Sequence, residues 1–167
     1  MIMNSRTSRA VWRGLALAGV VAGAMSAGSI PAFAGSCPAD KVVPAGQGQK
    51  PGATMPKDVT DTVIGSIDLS KEPAAINDRT FRLRKLVIQA GGIVPWHSHA
   101  DRPAIIYVVS GEVTEYASTC SVPIIHKSGD VAVESHDTSH WWKNTGKTQA
   151  VLLSSDLLHD PMDANMM

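Results

Sequence analysis

The sequence predicts an all-β domain over residues 61–167, and three observations carry that reading. Short runs of β-branched, aliphatic and aromatic residues recur after residue 60. Glycine, proline, serine and aspartate punctuate them at close spacing. No window beyond residue 60 sustains an apolar repeat at helical spacing.

The runs follow one another along the chain. "TVIGSIDL" (62–69) is a first β-rich segment. "RTFRLRKLVIQAGG" (79–92) alternates apolar and basic residues and is expected to end in a Gly-Gly turn. "AIIYVVSG" (104–111) is β-branched and aromatic up to a closing glycine. "EVTEYAS", "VPIIHKSGD", "VAVES" and "QAVLLSSD" continue the pattern. Segments this short and this numerous close into a sandwich or a barrel. The length suffices for one sizeable core.

The first 60 residues read differently. Residues 1–34 combine Arg6, Arg9 and Arg13 with no acid, then the apolar, small-residue stretch "LALAGVVAGAMSAGSI", then "PAFA". That order describes a secretory signal peptide cleaved after Ala34. The expected location is therefore periplasmic or secreted, with no membrane span retained. Residues 35–60 are rich in proline, glycine and small polar residues, which predicts a flexible N-terminal arm. The printed totals are 15 basic and 15 acidic residues; without the three leader arginines, 12 face 15. A net charge of −3 is no footprint for nucleic acid. It suits a soluble protein with a small ligand or a protein partner. Cys37 and Cys120 both lie in the exported part, so a disulfide is expected, with two free thiols as the alternative.

The chemistry resides in the histidines. His97 and His99 are two apart, so on a strand they share one face. An H-x-H pair alone is a weak signal. His140, in "SHWWKN", raises it, because a closed barrel brings distant strands side by side. Trp142 has the parity of His140 and is expected to line the same pocket. Ile105 and Tyr107 read as barrel wall, and Trp96 and Trp141 as core. Asp101, His126, His136 and His159 read as loop or surface residues.

These spacings resemble the cupin superfamily. Gly91 is followed by five residues, then His97-Ser98-His99, and Gly111 closes a first motif. Gly129 is followed by five residues, then Ser135-His136-Asp137, two residues, His140, three residues and Asn144. The resemblance implies a jelly-roll, or double-stranded β-helix, barrel. It implies a divalent metal ion (Fe, Zn, Cu, Ni or Mn) held by His97, His99 and His140, and pairing into a homodimer. The sequence departs from the pattern at two places. Ala104 stands where the family places a glutamate ligand, and Ser135 and Asp137 replace a proline and a glycine. Three neutral imidazoles leave a divalent ion less neutralised and its remaining positions open. The activity so implied is a dioxygenase-like oxidoreductase acting on a small organic molecule. The alternative is a non-catalytic ligand-binding module with weak or no metal binding.

Overall fold

The computed structural model describes residues 35–159; the signal peptide expected over 1–34 lies outside them. Eight strands form one antiparallel sheet: β1 (Lys57–Asp68), β2 (Thr80–Ser98), β3 (Ala104–Ser110), β4 (Glu112–Ala117), β5 (Ile124–Lys127), β6 (Val131–Glu134), β7 (Ser139–Lys143) and β8 (Ala150–Leu158). The strand order is β5-β4-β7-β2-β8-β3-β6, with β1 paired to β2 alone. β5 lies near β3 across the gap, so the sheet curls into a nearly closed barrel. One 3₁₀ turn, Leu69–Lys71, follows β1. Among the described residues no helix is long and apolar enough to cross a membrane.

Alternation decides what points inward. Leu86 and Ile88 of β2, Ile106 and Val108 of β3, Val113 of β4, Trp142 of β7 and Leu152 of β8 form the buried cluster. Each such side chain, fully buried, stabilises by about 1.5–3 kcal/mol. The intervening residues face out. Ile105 and Tyr107 are 56% and 44% exposed, so the wall residues expected there sit on its outer surface. Trp96 and Trp141 are half-buried rather than core.

Two boundaries differ from expectation. The Gly-Gly pair does not end its strand. β2 runs for 19 residues through Gly91 and Gly92. The extra residues form a bulge, seen as a register break from Val59↔Ile88 to Lys57↔Ile93. Gly91 takes φ +78° there, which glycine adopts without steric cost. This bulge lets one strand serve β8 with its first half and β7 with its second. β1 starts at Lys57, four residues before the expected domain boundary. Its pairing is by backbone, so the polar "KDVT" carries no pattern to reveal it.

Residues 35–56 form an arm without core strands, yet backbone bonds tie it to the barrel. Val43 N–H donates to Thr119 O (3.0 Å), Gly48 N–H to Ser118 O (2.9 Å), and Trp96 N–H to Ala53 O (2.8 Å). A Cβ at Gly52 would meet the Trp141 indole at 2.4 Å, so only glycine lets the arm lie flat on that ring. Cys37 and Cys120 are disulfide-bonded. The expected flexibility is corrected to this extent: composition cannot register main-chain pairing.

Reduction, or Cys37→Ser, is expected to lower the melting temperature. The loss has an upper figure of roughly 4 kcal/mol for a loop this long. The β-sheet circular dichroism should survive while Trp141 fluorescence shifts as the arm lifts. Unchanged melting in reductant would contradict the clamp.

Candidate metal centre

β2 and β7 pair with His97 directly opposite His140. His99 follows two residues on, where β2 has ended, and its N–H donates to Thr138 O (2.8 Å). The three Nε2 atoms form a triangle with edges of 3.1 Å (His97–His99), 3.0 Å (His99–His140) and 3.0 Å (His140–His97). All three residues are buried.

What aims these atoms is the other end of each ring. His97 Nδ1 lies 2.9 Å from Pro95 O and His99 Nδ1 2.7 Å from Arg102 O. His140 Nδ1 lies 2.7 Å from Glu115 Oε1. All three partners accept only, so each Nδ1 must carry the proton and donate it. In the neutral tautomers, three Nε2 lone pairs then face one another at 3.0–3.1 Å. None can satisfy another. A proton on His140 satisfies one edge; a cation satisfies all three. Nitrogens about 2.1 Å from a common ion show this spacing when the angles between them are roughly 90°. The residues therefore fit a metal ion.

The carboxylates stand behind His140. Glu115 gives Oε1 to His140 and Oε2 to His126 Nε2 (2.8 Å). His126 stacks on Trp142 at 4.6 Å, and the Trp142 indole N–H points at the His140 ring. Glu134 lies 3.5 Å from His140 Nδ1, beyond hydrogen-bond reach. Glu115, Glu134 and His140 could also hold an ion among themselves. That group needs the His140 Nδ1 proton removed, whereas the histidine triangle needs nothing moved there.

The charge states follow. Burial holds His97 well below the usual imidazole value, with His140 and His99 adding to it. His99 is lowered to about 3, by burial and then by His140. Burial pulls His140 down as well, but the charges of Glu134 and Glu115 outweigh it and raise the ring above its usual value. Burial pushes Glu115 up, but the hydrogen bonds from His126 and His140 prevail and hold it at about 2. Glu134 is pushed up to about 8, by burial first and also by the Glu115 charge. Glu115 is therefore the carboxylate held ionised.

Ala104 is buried and faces inward, directly opposite Glu134 on β6 and Asp156 on β8. Neither carboxylate joins the histidine triangle, so the missing ligand has no replacement in that group. Asp101 is on the surface, bonded to Arg79 (2.6 Å) and His159 (2.5 Å). His136 is exposed beside Asp137. His126 overturns its surface reading: it is fully buried and supports Glu115. Sequence reasoning passed over Glu115 too, although it shares the parity of Val113 and Ala117 in β4. Inside the barrel, His97 and His99 line a small cavity with Trp142, Leu86, Val94, Ile106, Leu152, Arg84 and Ser154.

Residues 84–156 match the Cupin domain family, and both histidine motifs lie in or beside that span. That span of the chain is a cupin domain. No curated protein matches it in sequence. Among solved structures it is similar to a predicted oxalate decarboxylase from Thermotoga maritima, at 22% identity and TM-score 0.50, covering 70% of this chain and 97% of that one. It is similar to an oxalate oxidase in complex with glycolate at 20% identity and TM-score 0.49, covering 67% of this chain and 57% of that protein. The Cnp3 cupin domain of Schizosaccharomyces pombe gives 14% identity and TM-score 0.48, with 64% and 69% covered. At these identities the likeness is one of fold.

The ring states set the pH dependence of metal uptake. His97 and His99 have lowered values and are neutral at pH 7; His140 has a raised value, so an incoming ion displaces its proton. Zinc affinity should weaken about tenfold per pH unit as pH falls below the His140 value. Titration against chelator-buffered zinc between pH 5.5 and 8 checks the slope. Three protons per ion would mean that all three rings are charged, against this geometry.

Proposed function

We propose that the protein is an exported cupin that binds a divalent metal ion through His97, His99 and His140 and oxidises a small organic molecule with dioxygen. The observation that carries this reading is the triangle of Nε2 atoms at 3.0–3.1 Å, each ring held from behind by an acceptor at its Nδ1. A bound ion would supply Lewis acidity and, for iron, copper or manganese, one-electron chemistry. The chain supplies the rest. Glu115 fixes the His140 ring and its tautomer, as outer carboxylates do for metal-bound imidazoles. Trp142, Leu152, Ile106 and Val94 keep the cavity apolar and exclude water. Export is supported by the leader-like first 34 residues and is compatible with the Cys37–Cys120 disulfide.

One observation favours a second reading. Ala104 leaves no carboxylate in the cavity lining, so no placed general base reaches a substrate there. A non-catalytic module that only holds a ligand, with weak metal binding or none, needs no such base.

Elemental analysis of purified protein should find metal near one equivalent and at least tenfold less in a His97→Ala, His140→Ala double variant. Equal, negligible metal in both would end the first reading. Oxygen uptake by iron-loaded protein over a metabolite panel separates turnover from ligand-dependent thermal stabilisation alone.

The homodimer expected from the family likeness would use the outer face of β3 and β6, where Ile105, Tyr107 and Val133 are exposed. Ile105→Lys with Val133→Lys should then convert a dimer to a monomer in sedimentation velocity. Native protein sedimenting as a monomer would remove the proposal.

A further inference from the structure

Behind Glu115, on the side away from the histidine triangle, lies a second cavity of about 140 Å³. The first arm residues, Gly35 and Ser36, close it on one side, and Glu115, Glu134, Thr119 and Thr138 line it on the other. Both glutamates are buried. The lining thus carries two carboxyl groups and no basic side chain. Cys37, two residues past Gly35, is bonded to Cys120 and holds the start of the arm at this place.

Gly35 sits where a larger residue could not. It takes φ +84°, and a Cβ on it would meet His126 Nδ1 at 2.7 Å and Asp130 Cβ at 2.9 Å. The nitrogen of the same residue is roughly 2.5 Å from that point, hence no more than about 5 Å from His126 Nδ1. His126 is fully buried, and its Nδ1 has no hydrogen-bond partner among the described residues. Its Nε2 donates to Glu115 Oε2 (2.8 Å), so Nδ1 of the neutral ring is an acceptor. A buried acceptor without a donor is costly. Asp130 is fixed beside it in the β5–β6 turn, where Lys127 N–H donates to Oδ2 (2.7 Å).

We propose that cleavage by a leader peptidase after Ala34 seats the new α-ammonium of Gly35 against His126 Nδ1 and the Asp130 carboxylate, at the edge of the acidic cavity, where it acts as a positioning group for the His126–Glu115–His140 chain. In that hydrolysis one water is added and the Ala34–Gly35 C–N bond breaks. Ala34 departs as a carboxylate, and Gly35 keeps the nitrogen as –NH₃⁺. An α-amino group ordinarily titrates at about 7.7–8.0, so it is mostly charged at pH 7. It brings three donors and a positive charge, where the uncut chain offers one uncharged N–H. The ammonium satisfies the buried acceptor, and carboxyl groups surround it. With His126 held at both nitrogens, Glu115 is fixed, and Glu115 fixes the His140 ring. The proposal rests on reading residues 1–34 as a leader cut after Ala34, and not on a metal being bound.

The test expresses the full chain in an exporting host, beside a second chain with one extra glycine inserted between Ala34 and Gly35. Intact mass gives the first residue of each exported product. The processed native form is expected to begin at Gly35, and a different first residue overturns the proposal. Titration of the α-amino group by NMR should place it roughly one unit above the ordinary range in the native form and within that range in the extended one. Asp130→Asn keeps an acceptor for Lys127 N–H; it should lower the native value toward the ordinary range and leave the extended form unchanged. The native form should melt several degrees higher and bind zinc several-fold more tightly than the extended one. Equal α-amino values and equal melting in the two forms overturn the seat of the ammonium; equal zinc affinity overturns its positioning role. Differences in titration and melting with negligible zinc in both forms uphold the seat and remove the metal reading instead.

Discussion

Three buried Nε2 atoms brought within 3.0–3.1 Å of one another are the arrangement that much of the barrel interior works to hold. Each Nδ1 has an acceptor that it cannot exchange: Pro95 O, Arg102 O and Glu115 Oε1. The first two are main-chain oxygens fixed by the path of the chain next to His97 and His99. The third depends on β4 lying beside β7, and Glu115 is held in turn by His126. The three rings are thus aimed by backbone geometry and one ionised carboxylate. A bound cation would satisfy all three Nε2 atoms at once.

This dependence explains the layering along the barrel. Leu86, Ile88, Val108 and Leu152 fill the inner part with hydrocarbon. The histidines sit at the level of Trp142, where β2 and β7 pair beyond the bulge. Arg82, Arg84, Arg102 and Asp156 occupy a charged layer of their own. The apolar layer supplies stability; the ionic layers cost desolvation and are kept together by near-complete pairing.

Much of this was legible in the sequence. Short β-rich runs with turn residues between them gave the fold class, and the parity of 97 and 99 with the motif position of 140 gave the triangle. What stayed hidden shares one cause. Parity shows that residues alternate, but it does not say which face is inside when both sets are plausible. In "TFRLRK" the default puts Phe81 and Leu83 inward, yet the arginines are buried because Asp61 and Asp156 arrive from strands distant in sequence. Glu115 and His126 were hidden likewise, since neither is a sensible core residue until the other is beside it. The bulge at Gly91–Gly92 and the clamped arm depend on main-chain pairing, which leaves little trace in side-chain pattern.

The disulfide has a consequence for biogenesis. The chain contains two cysteines, and they bridge a separation of 83 residues. Within one molecule only one connectivity exists. Formation of the bridge therefore calls for an oxidant but for no isomerase, because there is no scrambled intramolecular form to correct. Errors can arise only between molecules, so the yield of correctly oxidised protein becomes a matter of crowding during synthesis rather than of bond reshuffling.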